Sequence, residues 1–261
     1  MSLFPPSREP AQPAAKPADP VGASRAEDAQ RASGPGPGKR FEETRWETIS
    51  NNLKTIGGAV LLALVIRTLF FEAFEIEGPS MEPTLLNGDR VVVAKFVYGL
   101  FLPLARQSSL TWGEPEPGDV VIIKSPADNV DIVKRVIGVP GDSIAFRRNT
   151  VYRNGQPMKA RDVGPCSKGR GKEKAPACRV IETEINGMTF HTSGVPLFQN
   201  RSAVKVPPSH VYVLGDHRDS SNDSRSIGVI PFDRLKGKAL AIYWSSGRDG
   251  YRWGRVFSAV E

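Results

Sequence analysis

From Thr55 to Phe71 the chain reads Thr-Ile-Gly-Gly-Ala-Val-Leu-Leu-Ala-Leu-Val-Ile-Arg-Thr-Leu-Phe-Phe, about 17 residues whose one charge, Arg67, lies near the far end. That length is just enough to cross the hydrocarbon core of a bilayer as a helix, and an arginine near its end can snorkel to the interface. The rival readings are a buried core helix and a cleavable export signal. The run starts more than 50 residues into the chain, after a long polar tail. No small-x-small site follows it before Phe74-Glu75-Ile76, which favours an uncleaved anchor. Lys39, Arg40, Arg45 and Lys54 precede the run, whereas Glu72, Glu75 and Glu77 follow it. The positive-inside rule therefore places the N-terminus in the cytoplasm and everything after Phe71 outside it, in a single-pass arrangement.

The two flanks differ in kind. Residues 1–40 are rich in Pro, Ala, Gly and Ser and nearly lack aliphatic side chains, so they cannot bury enough apolar surface to offset ordering and read as a disordered cytoplasmic tail. Ser33-Gly-Pro-Gly-Pro-Gly-Lys39 lacks the spacing and the preceding strand of a phosphate loop. Residues 41–54 form a charged, helix-like juxtamembrane segment in which Arg45, Trp46 and Lys54 suit a membrane interface. Residues 72–261 are long enough for a packed core, and no sustained helical period occurs there. Short β-rich runs recur instead: Arg90 to Phe101, Val120–Lys124, Val130–Lys134, a hairpin over Ser143 to Asn154 with Arg153-Asn154-Gly155 as its turn signal, Pro207 to Asp216, and Ala239–Trp244. The fold class expected is an all-β catalytic domain of antiparallel sheets with one N-terminal transmembrane helix. Tyr98 to Leu104 is apolar enough to be either core or a segment dipping into lipid.

Two runs carry chemistry. In Glu77-Gly-Pro-Ser-Met-Glu-Pro-Thr-Leu-Leu-Asn-Gly-Asp-Arg90, Ser80 sits in a rigid turn leading into Val91-Val92-Val93. A hydroxyl needs a base within hydrogen-bond reach to act as a nucleophile. In Asp131-Ile-Val-Lys-Arg-Val-Ile-Gly-Val-Pro-Gly-Asp142, Lys134 follows two apolar residues in a strand-like pattern. A lysine buried among Val133, Val136 and Met81 would lose several units of pKa, which is what a lysine base requires.

These runs, with Gly88-Asp89, Gly138-Val-Pro-Gly-Asp142 and Gly215-Asp-His-Arg-Asp-Ser-Ser-Asn-Asp-Ser-Arg225, occur in the order found in bacterial signal peptidase I, and the sequence resembles that family from about Phe70 to the C-terminus. The resemblance implies a membrane-bound endopeptidase that removes signal peptides from exported preproteins. Ser80 would be nucleophile and Lys134 general base, through an acyl-enzyme. It implies further that Ser221 orients Lys134, that Asp223 and Arg225 form a supporting ion pair, and that Arg135 and Asp216 form a second. The backbone N–H of Ser80 would be one oxyanion donor. Many family members place a serine hydroxyl two residues before the nucleophile, but Gly78 stands there in this chain. Shallow pockets for small residues at positions −1 and −3, formed by Phe74, Ile76, Met81, Leu85, Ile132 and Val133, would receive an extended peptide. A short inserted β subdomain would occupy about 156–206.

Other readings are weaker. His217 between Asp216 and Arg218 suggests a Ser-His-Asp triad, but the family commonly carries asparagine there, which a required base would not tolerate. Asp219-Ser-Ser-Asn-Asp223 lacks the glycine and distal glutamate of a calcium loop, so no metal and no cofactor are expected. Cys166 and Cys178 would be free thiols in the cytoplasm and a disulfide outside it. Net charge is +7, yet the densest basic cluster, Lys168 to Lys174, has no interleaved aromatics, and no nucleic acid is expected as partner. The partners implied are preproteins and the lipid bilayer. Alternatives are a specialised relative maturing one secretion or conjugation protein, an inactive membrane-anchored binding protein, and a self-cleaving repressor, which the apolar span contradicts.

Overall fold

The structure, a computed structural model, describes residues 37–100, 110–148, 150–166, 178–195 and 200–261. Most of the N-terminal tail, the basic run Lys168 to Lys174 and residues 101–104 lie outside these. The chain divides between Val60 and Leu61 into two units. Helix α1, Pro37–Phe70, continues the charged 41–54 segment into the apolar run without a break. At 34 residues it is about 51 Å long at 1.5 Å per residue, more than a bilayer core needs. Its Arg45–Phe70 portion is long and apolar enough to cross a membrane, with mean hydropathy 1.8. Leu53, Leu61, Leu62 and Leu64 along it are exposed.

Beyond α1 the fold is antiparallel β, as the period-2 runs require. Its longer strands are β1 Phe71–Glu75, β2 Asp89–Ala94, β3 Val120–Lys124, β4 Asp131–Gly138, β5 Ser143–Arg147, β6 Thr150–Arg153, β7 Ala160–Pro165, β8 Arg179–Ile185, β9 Met188–Gly194, β10 Arg201–Lys205, β11 His210–Leu214 and β12 Leu235–Gly247. One helical turn, α2 Ser224–Ile227, interrupts them. The main sheet runs β1-β2-β12-β3-β4-β11 and ends on the two-residue strand Ile230–Pro231. Val120–Ile123 is an unbroken apolar run because both faces of β3 are covered. Val120 and Ile122 join Ile76, Met81, Leu85, Val91 and Val93 in one cluster, and Val121 and Ile123 join Tyr98, Val136, Val211 and Val213 in another. β4 lies between β3 and β11, with Lys134 opposite Val121 and Arg135 opposite Val120.

Two expectations need correction. The Ser143 to Asn154 hairpin turns at Arg148 rather than at Arg153-Asn154-Gly155, since Ile144 pairs with Arg153 and Arg147 with Thr150. Asn154 and Gly155 both take left-handed φ values, 55° and 79°, and serve the next turn, which folds Gln156–Pro157 back on β6. The final strand also begins earlier and ends later than Ala239–Trp244, and accommodates its length with register shifts at Ala239/Ala241 and Ile242/Trp244.

Within 156–206, β7, β8 and β9 form a three-stranded sheet, while β10 returns to pair with β5. These strands do not keep a core to themselves. Ile185 and Phe190 pack in one cluster with Ile137, Ile144, Tyr212 and Leu214. The structure joins Cys166 to Cys178, with Cα atoms 5.4 Å apart, just beyond the Pro165–Arg179 pair where β7 leads into β8.

Candidate active site

The segment between β1 and β2 is folded on itself by local hydrogen bonds. Ile76 N–H donates to the Asp89 carbonyl at 2.8 Å and Gly88 N–H to the Ile76 carbonyl at 2.9 Å, closing the base of the loop. Gly78, at φ +80°, donates its N–H to Asn87 Oδ1 at 2.9 Å; a left-handed residue here favours glycine. Glu82 N–H to the Pro79 carbonyl and Leu85 N–H to the Met81 carbonyl form a tight turn around Ser80. Met81 and Leu85, 1% and 0% exposed, plug this turn into the core. The loop end is clamped by Asp89, fully buried, which accepts from Arg255 Nη2 and Ser245 Oγ, both at 2.6 Å.

Lys134 comes to the same point from β4. It is 3% exposed, and its Nζ lies 3.0 Å from Ser80 Oγ and 2.7 Å from the Val133 carbonyl. Burial pushes its pKa down to about 8, against the opposing pull of the Asp223 and Asp216 carboxylates. A cleft of about 270 Å³ opens beside the pair, lined by Phe74, Ile76, Met81, Ile132 and Val133 among others. Leu85, assigned to that cleft from sequence, is not in its wall, because it is drawn fully into the cluster behind.

The Gly215 to Arg225 run packs against the turn from the other side. His217 N–H donates to the Ser80 carbonyl at 3.1 Å. Its ring sits at 3.1 Å from the Pro79 carbonyl and 3.2 Å from Asp219 Oδ1, with no hydrogen bond to Ser80 Oγ. Ser221 does not bond Lys134, whose hydrogen bonds go to Ser80 and Val133. Instead it packs over Gly215, where a Cβ would stand 2.2 Å from Ser221 Oγ and 2.5 Å from the Ser80 carbonyl oxygen. Asp223 is held by Arg225 through Nε at 2.8 Å and Nη2 at 2.7 Å, and also accepts Gly215 N–H. Burial alone would raise its pKa, but Arg225 outweighs this and the carboxyl is lowered. Arg135 and Asp216, 0% and 1% exposed in their side chains, pair through Nε at 2.9 Å and Nη2 at 2.8 Å.

Several supports carried no sequence signal. Thr84 Oγ1 donates to Asp216 at 2.6 Å. The Gly118 and Glu261 carbonyls each accept from Arg135 at 2.8 Å, and the Phe190 ring lies 4.1 Å beneath its guanidinium. Only the Asn-Gly turn signal at Asn87-Gly88 hinted at Asn87. No group of metal-ligating side chains occurs among the described residues.

A serine hydroxyl bonded to a buried lysine of lowered pKa, beside an apolar cleft, with the His217 ring bonded to the Pro79 carbonyl and not to the hydroxyl, is the arrangement a serine-lysine hydrolase requires. Residues 49–244 match the family described as signal peptidase, peptidase S26, and the chain belongs to that family. Among its relatives, a signal peptidase I of Pseudomonas fluorescens is 32% identical over 206 residues, covering 74% of this chain and 71% of its own. A signal peptidase I of Rickettsia typhi is 32% identical over 220 residues, 77% of this chain and 82% of its own. A solved signal peptidase I from Enterococcus faecalis V583 is 25% identical, covering 49% of this chain and 98% of that one, with TM-score 0.30.

Proposed function

We propose that the protein is a membrane-anchored endopeptidase that removes N-terminal signal peptides from exported preproteins by a Ser80 nucleophile and a Lys134 base. The observation that carries this is the 3.0 Å approach of Lys134 Nζ to Ser80 Oγ where burial lowers the amine's pKa to about 8. Family membership supports the substrate class.

In the mechanism, an extended peptide lies along the cleft between β1 and β4, with small side chains at −1 and −3 against Phe74, Ile76, Met81, Ile132 and Val133. Ser80 Oγ attacks the scissile carbonyl carbon while its proton passes to Lys134 Nζ. The oxyanion is met by the Ser80 backbone N–H, which no other acceptor takes among the described residues. Collapse expels the new amine, which takes the proton from Lys134 and leaves an acyl ester on Ser80. Water then gives a proton to the neutral Lys134 and attacks the ester, and as the intermediate collapses Ser80 Oγ takes that proton back from Lys134 and the signal peptide leaves with its new carboxyl terminus. Gly78 supplies no hydroxyl, so any second donor is a backbone amide or water. The Arg135–Asp216 and Asp223–Arg225 pairs hold the walls of the site. The helix anchors the chain in the inner membrane, with the N-terminus cytoplasmic and residues 72–261 on the outer side.

Cleavage of a preprotein bearing an Ala-x-Ala site by the detergent-solubilised protein, beside Ser80→Ala and Lys134→Ala, tests this. Cutting after the second alanine that both substitutions abolish is the expected result. Cutting that survives loss of Lys134 overturns the assignment.

A further inference from the structure

His217 holds the peptide units on both sides of Ser80. Its backbone N–H donates to the Ser80 carbonyl at 3.1 Å, and its ring Nδ1 lies 3.1 Å from the Pro79 carbonyl oxygen. A carbonyl only accepts, so the second bond requires the ring proton on Nδ1. The Pro79 carbonyl also accepts the Glu82 N–H at 3.0 Å, and the two donors together occupy both of its lone pairs.

The ring is set in place by its neighbours. The segment carrying it is fastened to β9, where Ser193 N–H donates to the Asp216 carbonyl at 2.9 Å and Arg218 N–H to the Ser193 carbonyl at 2.8 Å. On the far side of the ring, Asp219 Oδ1 stands 3.2 Å from Nε2, so a proton on Nε2 adds an ion pair there. Asp219 reaches this place across Gly194, where a Cβ would stand 2.4 Å from its Oδ1. With Nδ1 turned to Pro79, the ring takes no part in moving the Ser80 proton, which Lys134 is placed to accept.

The Pro79 carbonyl and the Ser80 N–H belong to one peptide unit. That unit is planar and trans, so its C=O and N–H point in opposite directions. A donor on the oxygen polarises the unit and strengthens the N–H as a donor at the other end. It also fixes the plane along which the N–H is aimed. We infer that His217 is a positioning residue for the oxyanion, acting through its Nδ1–H bond to the Pro79 carbonyl on the Ser80 N–H. The inference rests on the reading of Ser80 as nucleophile. Gly78 brings no hydroxyl to share the oxyanion, so the strength and aim of this one N–H bear directly on kcat.

The test compares His217→Leu and His217→Asn with wild type on a peptide substrate, in the full-length protein in detergent. Leucine and asparagine have the same shape, but asparagine carries its amide nitrogen on Cγ, as histidine carries Nδ1, and can donate to the same carbonyl. His217→Leu is expected to lower kcat by at least about tenfold with KM within about twofold, the mark of an interaction that acts in the transition state. His217→Asn is expected to recover kcat to within about threefold of wild type. An asparagine variant as slow as the leucine variant, a leucine variant as fast as wild type, or a loss carried by KM would overturn the inference. If His217→Leu fails to fold, imidazole nitrogen NMR on the wild-type protein decides, since the chain has three histidines. The ring signal that disappears in His217→Asn is expected to carry its proton on Nδ1, and a ring protonated on Nε2 alone overturns the inference. Wild-type protein that cleaves no preprotein sinks the Ser80 reading and this inference with it. Cleavage that Ser80→Ala abolishes and His217→Leu leaves at full rate sinks this inference alone.

Discussion

A lysine serves as a base near neutral pH only where its charged form is made costly, and Lys134 meets that condition by burial against the apolar wall of the cleft. Activity should therefore rise with pH as the amine loses its proton. Measured on a peptide substrate, kcat/KM is expected to climb through an apparent pKa of about 8 and level off above it. A profile already flat between pH 6 and about 9 would remove Lys134 from the role of base. The same burial works against the fold. Between about 8 and the ordinary value of 10.5 the unfolded chain holds a proton on this amine that the folded chain has lost. Stability then rises with pH across that window, and below it the full penalty applies. A shift from 10.5 to about 8 corresponds to about 3 kcal/mol. Lys134→Met should thus unfold at higher denaturant concentration than wild type at pH 7. The gain stays below about 3 kcal/mol because the hydrogen bonds to Ser80 and Val133 are forfeited. A loss of stability in that variant would show that those bonds outweigh the desolvation.

Among the elements, the turn that carries Ser80 is positioned by two neighbours, β4 with Lys134 and the segment from Gly215 to Arg225. Gly215 lets the second approach. A Cβ there would meet Ser221 Oγ at 2.2 Å, Ser221 Cβ at 2.4 Å and the Ser80 carbonyl oxygen at 2.5 Å. Gly215→Ala should lower kcat by about a hundredfold or more, because displacement of order 1 Å at a reacting group carries costs of that size. Combining it with Ser221→Gly relieves only two of the three contacts, so activity is expected to stay low. Recovery to wild-type rates would mean that Ser221, and not the backbone of the nucleophile, is what the glycine avoids. What the sequence makes readable follows from the same geometry. Ser80 and Lys134 stand in local patterns, a proline-bounded turn and an apolar strand, and so declare themselves. The strand run of β3 is equally plain because its apolar residues are contiguous, whereas in β4 Lys134 and Arg135 split the apolar pairs, and the strand runs four residues past Lys134 to Gly138. Thr84, Phe190, Ser245 and Glu261 meet their partners only across long stretches of chain, and no spacing rule joins Thr84 to Asp216 or Asp89 to Arg255. Leu85 misleads for the same reason. Its character suits either a cleft wall or a core, and only the packing of the whole loop sends it inward. Ser221 is misread in the other direction, a polar residue spent on close packing.

For the whole molecule, the question is which side of the membrane the β domain occupies, and two features bear on it independently. Lys39, Arg40, Arg45 and Lys54 precede the apolar part of α1, while Glu72, Glu75 and Glu77 follow it, the asymmetry from which the proposed cytoplasmic N-terminus is argued. The Cys166–Cys178 bond belongs to the domain after the helix, and disulfides persist where the compartment is oxidising. Charge acts at insertion and the thiols report the outcome, so they can be tested against each other. Acid-quenched cells treated with a maleimide-polymer tag are expected to show no mass shift on the full-length protein unless reductant is added first. After reduction two tags are expected, one for each cysteine of the chain. Protease added to spheroplasts should in parallel remove the β domain and leave only an N-terminal fragment. If the basic residues preceding the span are replaced by glutamine and acidic pairs are moved ahead of it, molecules that insert in reverse should be tagged without reductant and resist the protease. Wild-type protein that is tagged without reductant and withstands the protease would place the β domain in the cytoplasm, where no exported preprotein could meet Ser80 after translocation.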